Sequence, residues 1–265
     1  MTHFSSMPSL ADFSEIIMAS TPSQISSDPT LGGRLELSRH GAISRVYAPF
    51  EPINKNARLV ICGITPGRRQ AIDALLEAHR QLKAGVDVIA AAKAAKATAS
   101  FAGSMRPNIA AMLDFIKLPE KFGIANSAAL FGASSHLVHF TSASRYPTFI
   151  GQNDYSGSSP TLKSLLQNQS QIYDALVEEA AALPSAIWIP LGVKVAKALQ
   201  LLVNSGVIDA SRVLSGLPHA SGANGERIAY FLGRKARGLL SSKTNPAIID
   251  AGRENAASVV AAMTA

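Results

Sequence analysis

Two glycine-containing segments, far apart in the chain, constrain its fold most. Residues 58–67 read RLVICGITPG and residues 217–224 read LPHASGAN. In the first, a continuous apolar run over residues 59–62 stops at a Gly/Pro turn, the pattern of a strand buried on both faces. In open α/β sheets, loops at the carboxyl ends of parallel strands are where ligands bind. The two loops together imply one cleft built from both ends of the chain.

The rest of the chain reads as strands alternating with helices. Apolar runs at 59–62 and 186–191 are strands, and residues 213–214 form a brief third one. Residues 123–130 (GIANSAAL) read as a short strand and residues 132–159 as a long polar loop. Helical stretches fall at 10–18, 68–96, 108–116, 160–183, 193–203 and 227–240, with an Ala-rich helix closing residues 245–265. This alternation predicts an α/β fold with three layers, α/β/α, around a short and mostly parallel central sheet. The expected organisation is a single domain over 1–265, with an N-terminal extension over 1–45 and a C-terminal helix over 245–265.

Composition bounds the rest. The chain has 265 residues, 47% hydrophobic and 16% charged, which suits a folded core. No apolar run reaches the roughly 18 residues that span a bilayer. The first residues lack a basic segment followed by an apolar one, so no signal peptide is expected and the protein is read as cytoplasmic and free of membrane. A single cysteine, Cys62, excludes an internal disulfide and any four-cysteine metal or iron–sulfur site, and its apolar neighbours make it a core thiol. The net charge is +7, and between Pro190 and Lys243 eight Lys/Arg face only two acids. That stretch is either a solvated face or the footprint of a polyanion.

The loops limit the chemistry. GITPG is followed by no Gly-Lys-Ser/Thr and is not GxGxxG, so neither nucleotide motif is present. Gly63 and Gly67 allow close backbone approach, and Pro66 stiffens the turn. His219 follows Pro218 in a loop and is flanked by small residues. An imidazole so placed can donate a hydrogen bond to charge developing on an oxygen.

Taken in order, these segments resemble the uracil-DNA glycosylase superfamily. GITPG is similar to its first motif and HASGAN (219–224) to its second. Between them, residues 100–109 (SFAGSMRPNI) are similar to the stretch that supplies a base-stacking aromatic. GIANSA (123–128) is similar to the segment whose Asn reads the base, and AIWIPLGVKVAKAL (186–199) to a strand-and-helix segment. The resemblance spans about residues 58–240.

It implies the following roles. Phe101 would stack on an extruded base, core packing being the other reading. Asn126 would pair with the uracil edge and reject cytosine. Gly63, Ile64 and Pro66 would shape the pocket. His219 would donate to O2 of the departing base. Ser221, Gly222 and Asn224 would grip phosphates. Arg227 and Arg234 would attract DNA, as would Arg68 and Arg69, which are out of place at a helix start.

The chain also departs from the pattern. Thr65 stands where several branches place Asp or Asn to position water. Asp154, with Asn153 beside it, is the candidate to take over, an ordinary turn carboxylate being the alternative. Ala220 replaces a proline, and Ala223 is too small to wedge into a duplex. The expectation is a monomeric DNA-repair glycosylase near the nucleoid, with catalytic His219, Thr65 and Asp154. It acts on uracil-containing DNA and needs no cofactor or metal. The alternatives are a catalytically weak DNA- or abasic-site-binding protein, and an unrelated α/β enzyme acting on a small nucleotide.

Overall fold

A computed structural model describes residues 7–263, and among them lie seven β-strands and eleven α-helices, so the chain is mixed α/β. The strands are β1 (Glu36–His40), β2 (Ile43–Val46), β3 (Leu59–Gly63), β4 (Val138–Ser142), β5 (Thr148–Ile150), β6 (Asn153–Asp154) and β7 (Ile187–Pro190). The helices are α1 (Leu10–Ala19), α2 (Pro22–Ser27), α3 (Arg68–Lys83), α4 (Val88–Ala99), α5 (Met105–Phe115), α6 (Leu118–Phe122), α7 (Leu162–Asn168), α8 (Ser170–Ala182), α9 (Val193–Asn204), α10 (Gly225–Phe231) and α11 (Pro246–Ala262). Residues 1–6 of the expected extension and 264–265 of the expected final helix lie outside the described residues.

The chain divides into two compact units. Unit 1 comprises Met1–Ile53, Ile64–Ala102 and Thr141–Glu178, and unit 2 comprises Asn54–Gly63, Gly103–Phe140 and Glu179–Ala265.

Unit 1 carries an antiparallel sheet in the order β1-β2-β5-β6. This corrects the expectation of a long loop over 132–159. Both hairpins close with two-residue turns, where His40 pairs with Ile43 and Ile150 with Asn153. Gly41 and Gly151 open those turns at φ 58° and 55°. A positive φ at the first turn position is the geometry that matches strand twist in a tight hairpin.

The N-terminal segment is also more than a lead-in. Leu10, Phe13 and Ile17 of α1, Ile25 of α2, and Leu35 enter the core of unit 1. There they meet Ala71, Ala74, Leu75 and Ala78 of α3 and Ala91, Ala95 and Ala99 of α4. The small alanines let α3 and α4 approach closely. The helix expected over 68–96 is broken in two by Gly85, at φ 77°, and by Asp87, whose carboxylate accepts from the N–H groups of Ile89 and Ala90.

Unit 2 holds the parallel pair. Leu59 to Cys62 of β3 lie in register with Ile187 to Pro190 of β7, in the sheet order β4-β3-β7. Every residue of β3 is buried, as its unbroken apolar run requires. Trp188 is buried on β7 and forms a single parallel bridge to Val213, all that remains of the brief third strand. Cys62 is buried, and desolvation together with Glu179 pushes its thiol pKa well up, so it is an inert core residue.

Two further expectations are corrected here. Residues 123–130 form no strand: they lead into a 3₁₀ turn, Ser127–Phe131, with Asn126 as its cap. The helix expected over 227–240 ends at Phe231, so Arg234 and Lys235 follow it in a loop and Arg237 opens a separate 3₁₀ turn.

Helix α11 seats against the loop before His219 through a glycine pair. A Cβ on Gly252 would lie 2.5 Å from the Gly216 carbonyl oxygen, and Gly216 itself sits at φ 121°. Overpacking of a rigid contact costs ~1–3 kcal/mol. Gly252→Ala is therefore expected to lower the stability of the chain by about 2 kcal/mol, read as a lower denaturation midpoint. Gly238→Ala, where an added Cβ meets nothing within 4 Å, should leave it near the parent value.

Candidate functional site

In unit 2 the HASGAN loop is built around one imidazole. Gly192, just past β7, has φ 86°, and its N–H donates to the Leu217 carbonyl at 2.9 Å. A Cβ on Gly192 would stand 3.1 Å from the His219 Cβ and 3.2 Å from its backbone nitrogen. No other residue type fits there without moving His219. Asn108, on α5, donates to the Ala220 carbonyl at 2.9 Å and pins the loop from the other side.

A hydrogen-bonded chain then fixes the ring. Arg227 donates to Asn224 Oδ1 at 2.7 Å and to the Lys243 carbonyl at 2.7 Å. Asn224 Nδ2 donates to Ser221 Oγ at 3.0 Å. Ser221 Oγ lies 3.1 Å from His219 Nδ1, and the Ser221 backbone N–H donates to the same nitrogen at 3.3 Å. A nitrogen that accepts from an N–H carries no proton of its own, so the ring proton sits on Nε2. Burial, aided by the charge of Lys194, lowers the His219 pKa to about 4. The ring is therefore neutral near pH 7 and offers a single N–H donor from Nε2. Ser221, Asn224 and Arg227, expected to grip DNA, spend these groups on holding His219.

The GITPG loop in unit 1 brings together residues that were singled out separately. Asp154, on β6, accepts from the Arg68 N–H at 2.9 Å and so caps α3. A Cβ on Gly67 would fall 2.6 Å from Asp154 Oδ2 and would push that carboxylate aside. Asp154 and Asn153 are both exposed.

The Thr65 hydroxyl donates to the Tyr146 carbonyl at 3.0 Å and accepts from the Thr148 N–H at 3.1 Å. Its only proton is thereby committed to the backbone. The Ile64 carbonyl accepts from the Ser144 N–H at 2.9 Å. Pro66 is buried, and so is Gly63 at the end of β3. Arg68 stacks on the Phe149 ring at 4.8 Å, and Arg69 pairs with Asp73 at 2.9 Å.

The remaining expected residues are placed as follows. Phe101 is buried at φ 51°, a conformation that is strained for a bulky side chain. Asn126 is exposed, and its Oδ1 accepts from the Ala129 N–H at 3.3 Å. A Cβ built on Gly222 would lie 3.8 Å from Ser104 Oγ, so these two residues of unit 2 are neighbours. Arg234 is exposed. Lys235 pairs with Glu226 at 2.8 Å, and Arg237 lies 3.7 Å from Asp250. Lys235, Ser241 and Thr244 hold the Glu226 carboxyl well below the usual range. Among the described residues, no group of three or more His, Cys, Asp or Glu is placed to hold a metal ion.

Sequence reasoning passed over Gly192, Asn108 and Lys194. Gly192 left a readable signal, a glycine between an apolar strand and a helix. Asn108 and Lys194 left none, because helix residues that act on a distant loop look like any other polar positions.

With this geometry in hand, the chain was compared with known proteins. It is 33% identical over 231 residues to the uncharacterized protein YoxB of Bacillus subtilis (strain 168), covering 86% of this chain and 90% of that protein. The chain belongs to the YoxB family. No family model matches it, and no solved structure matches it.

The lowered pKa of His219 fixes the sign of its pH behaviour. Its ordinary value is about 6.5, so as pH falls below 6.5 the unfolded chain takes up the proton first. The His219 contribution to stability is expected to be lost between about 6.5 and about 4. An NMR titration of the ring should give a midpoint near 4, and Lys194→Ala should move it upward.

Proposed function

We propose that the protein is a DNA-repair glycosylase that hydrolyses the N-glycosidic bond of uracil, and of other deaminated bases, in DNA to leave an abasic site. The observation that carries this reading is the locked Nε2–H tautomer of His219. When the bond between the sugar and uracil N1 breaks, the base departs with the bonding electrons and negative charge collects on O2. A neutral imidazole held by Ser221 donates to that oxygen without reorganising, the electrostatic contribution that dominates many enzymes. Water completes the hydrolysis at the sugar carbon.

In this reading Asp154 directs the water and receives its proton, since a carboxylate can act as a base near neutral pH and the Thr65 hydroxyl cannot. Asn126 and Asn153 meet the base edge and Phe101 its face. Gly63, Ile64 and Pro66 shape the first loop. Arg68, Arg69, Arg234 and the backbone at Gly222 attract the strand's phosphates. This reading calls for a three-layer α/β/α domain of the uracil-DNA glycosylase kind, and the parallel pair β3 and β7 supports it. The protein is monomeric, acts at the nucleoid, and uses no cofactor.

One observation favours a second reading. With the Thr65 hydroxyl proton committed to the Tyr146 carbonyl and one lone pair to the Thr148 N–H, the GITPG loop carries no side chain that can act as a base toward water. A protein that binds DNA or abasic sites and turns over poorly would have this arrangement.

Release of uracil from a labelled oligonucleotide, single- and double-stranded, separates the two. The wild type is expected to release the base, and His219→Ala to slow release ~10²–10³-fold, the usual loss for one such donor. Asp154→Asn should slow it as well, with folding preserved by circular dichroism. Salt-sensitive DNA binding without release would support the binding reading instead. A rate that climbs steadily as pH falls toward 4 would sink the neutral-donor role of His219.

A further inference from the structure

Arg45, on β2 in unit 1, is only 4% exposed. A guanidinium so deep is normally paired with a carboxylate, because an unpaired buried charge is strongly destabilising. Among the described residues no carboxylate oxygen pairs with Arg45 within 4.0 Å; the buried carboxylate of Glu51, in the same unit, bonds instead to Tyr47 and to the Leu10 N–H. The neighbours of Arg45 are the Tyr146 ring, whose centroid lies 6.0 Å from the guanidinium carbon, and a second cation, Arg145, itself 3% exposed. Arg145 has partners: it donates to the Ala175 carbonyl at 2.6 Å and pairs with Glu178 at 2.8 Å. Arg45 Nε is enclosed and has no hydrogen-bond partner.

The strand register adds a second donor. Arg45 lies opposite Ser38 on β1 and opposite Thr148 on β5, and residues directly opposite share a face of the sheet. Ser38 Oγ is also enclosed without a partner. Thr148 is not available, since its hydroxyl bonds to Ser144 Oγ and to the Tyr146 carbonyl. Two unsatisfied groups, one of them cationic, therefore stand on paired positions of neighbouring strands.

We propose that Arg45 and Ser38 bind a phosphate-type oxyanion in unit 1. The planar fork of a guanidinium matches two oxygens of a phosphate, and a hydroxyl supplies a third bond. Such an anion compensates the buried charge and the repulsion from Arg145. Burial and Arg145 lower the Arg45 pKa to about 10, so the group stays charged at neutral pH. Inorganic phosphate and the terminal phosphate of a nucleic acid strand carry the same chemistry. The proposal does not rest on the glycosylase reading.

Thermal unfolding of the full chain in phosphate, against chloride at matched ionic strength, tests it. The wild-type Tm is expected to rise by a few degrees and to saturate, as binding to the folded state alone requires. Phosphate also stabilises proteins generally, so Arg45→Met decides the matter. The variant should lose the saturable rise while keeping its Tm in chloride, or gaining in it, because a buried unpaired charge has gone. If Arg45→Met does not fold, Arg45→Lys keeps the charge without the fork and should show a weakened response. Ser38→Ala should weaken the response too. A larger rise with a 5′-phosphorylated oligonucleotide than with its 5′-hydroxyl counterpart would assign the site to strand ends, and equal rises would assign it to free phosphate. Equal phosphate responses in wild type and Arg45→Met, or no saturable rise in the wild type, would overturn the proposal.

Discussion

The close approach of Gly192 to His219 is the constraint on which the candidate site in unit 2 depends. Two residues past β7 the backbone turns at φ 86°, and a Cβ there would stand 3.1 Å from the His219 Cβ. The Gly192 N–H takes the Leu217 carbonyl, and this sets where the following loop can run. From that point the ring of His219 is held by the serine two residues on, the serine by Asn224, and Asn224 by Arg227. The Ser221 N–H, donating to Nδ1, decides which ring nitrogen carries the proton. The pKa follows from the same packing, because enclosing the ring disfavours its charged form.

Unit 1 shows the same economy in another form. The capping of α3 by Asp154 from a neighbouring hairpin, and the fit of that carboxylate against Gly67, tie the GITPG loop to β6. The Thr65 hydroxyl, bonded to the Tyr146 and Thr148 backbone, ties the loop to β5. In each case a polar side chain completes backbone hydrogen bonds that a loop would otherwise leave open. That is why Thr65 reads differently in sequence and in structure: its hydroxyl looks free until the chain that occupies it is in place.

Much of the local structure was legible. The apolar runs at 59–62 and 186–191 became β3 and β7 because a short unbroken apolar run that stops at Gly or Pro suits a strand covered on both sides. Helices α9 and α11 fall where the sequence predicts helix, and α3 covers the first part of the stretch expected over 68–96. Other elements were missed for identifiable reasons. The two hairpins are hard to read because their strands are short and polar, and each turns on a single glycine, Gly41 or Gly151, at the first position of a two-residue turn. Asn126 was read as a strand residue with an unusual side chain, when its shortness and its oxygen suit it to a cap. The basic residues after Phe231 were carried too far along a helix because Gly233 was not taken as its stop.

From the sequence alone it followed that the chain is α/β, that β3 and β7 are buried, and that Cys62 is a core thiol and His219 a loop histidine among small residues. These are properties of short windows, where hydrophobic pattern and backbone preference dominate. Only the tertiary structure decided the antiparallel pairing in unit 1, the proton on His219 Nε2, the placement of Asp154 against Gly67, and the burial of Arg45 without a paired carboxylate. Each of these depends on groups tens of residues apart, or on a hydrogen bond whose partner the local sequence does not name. Whether a polar side chain is free or engaged is a property of its surroundings, and those exist only once the chain has folded.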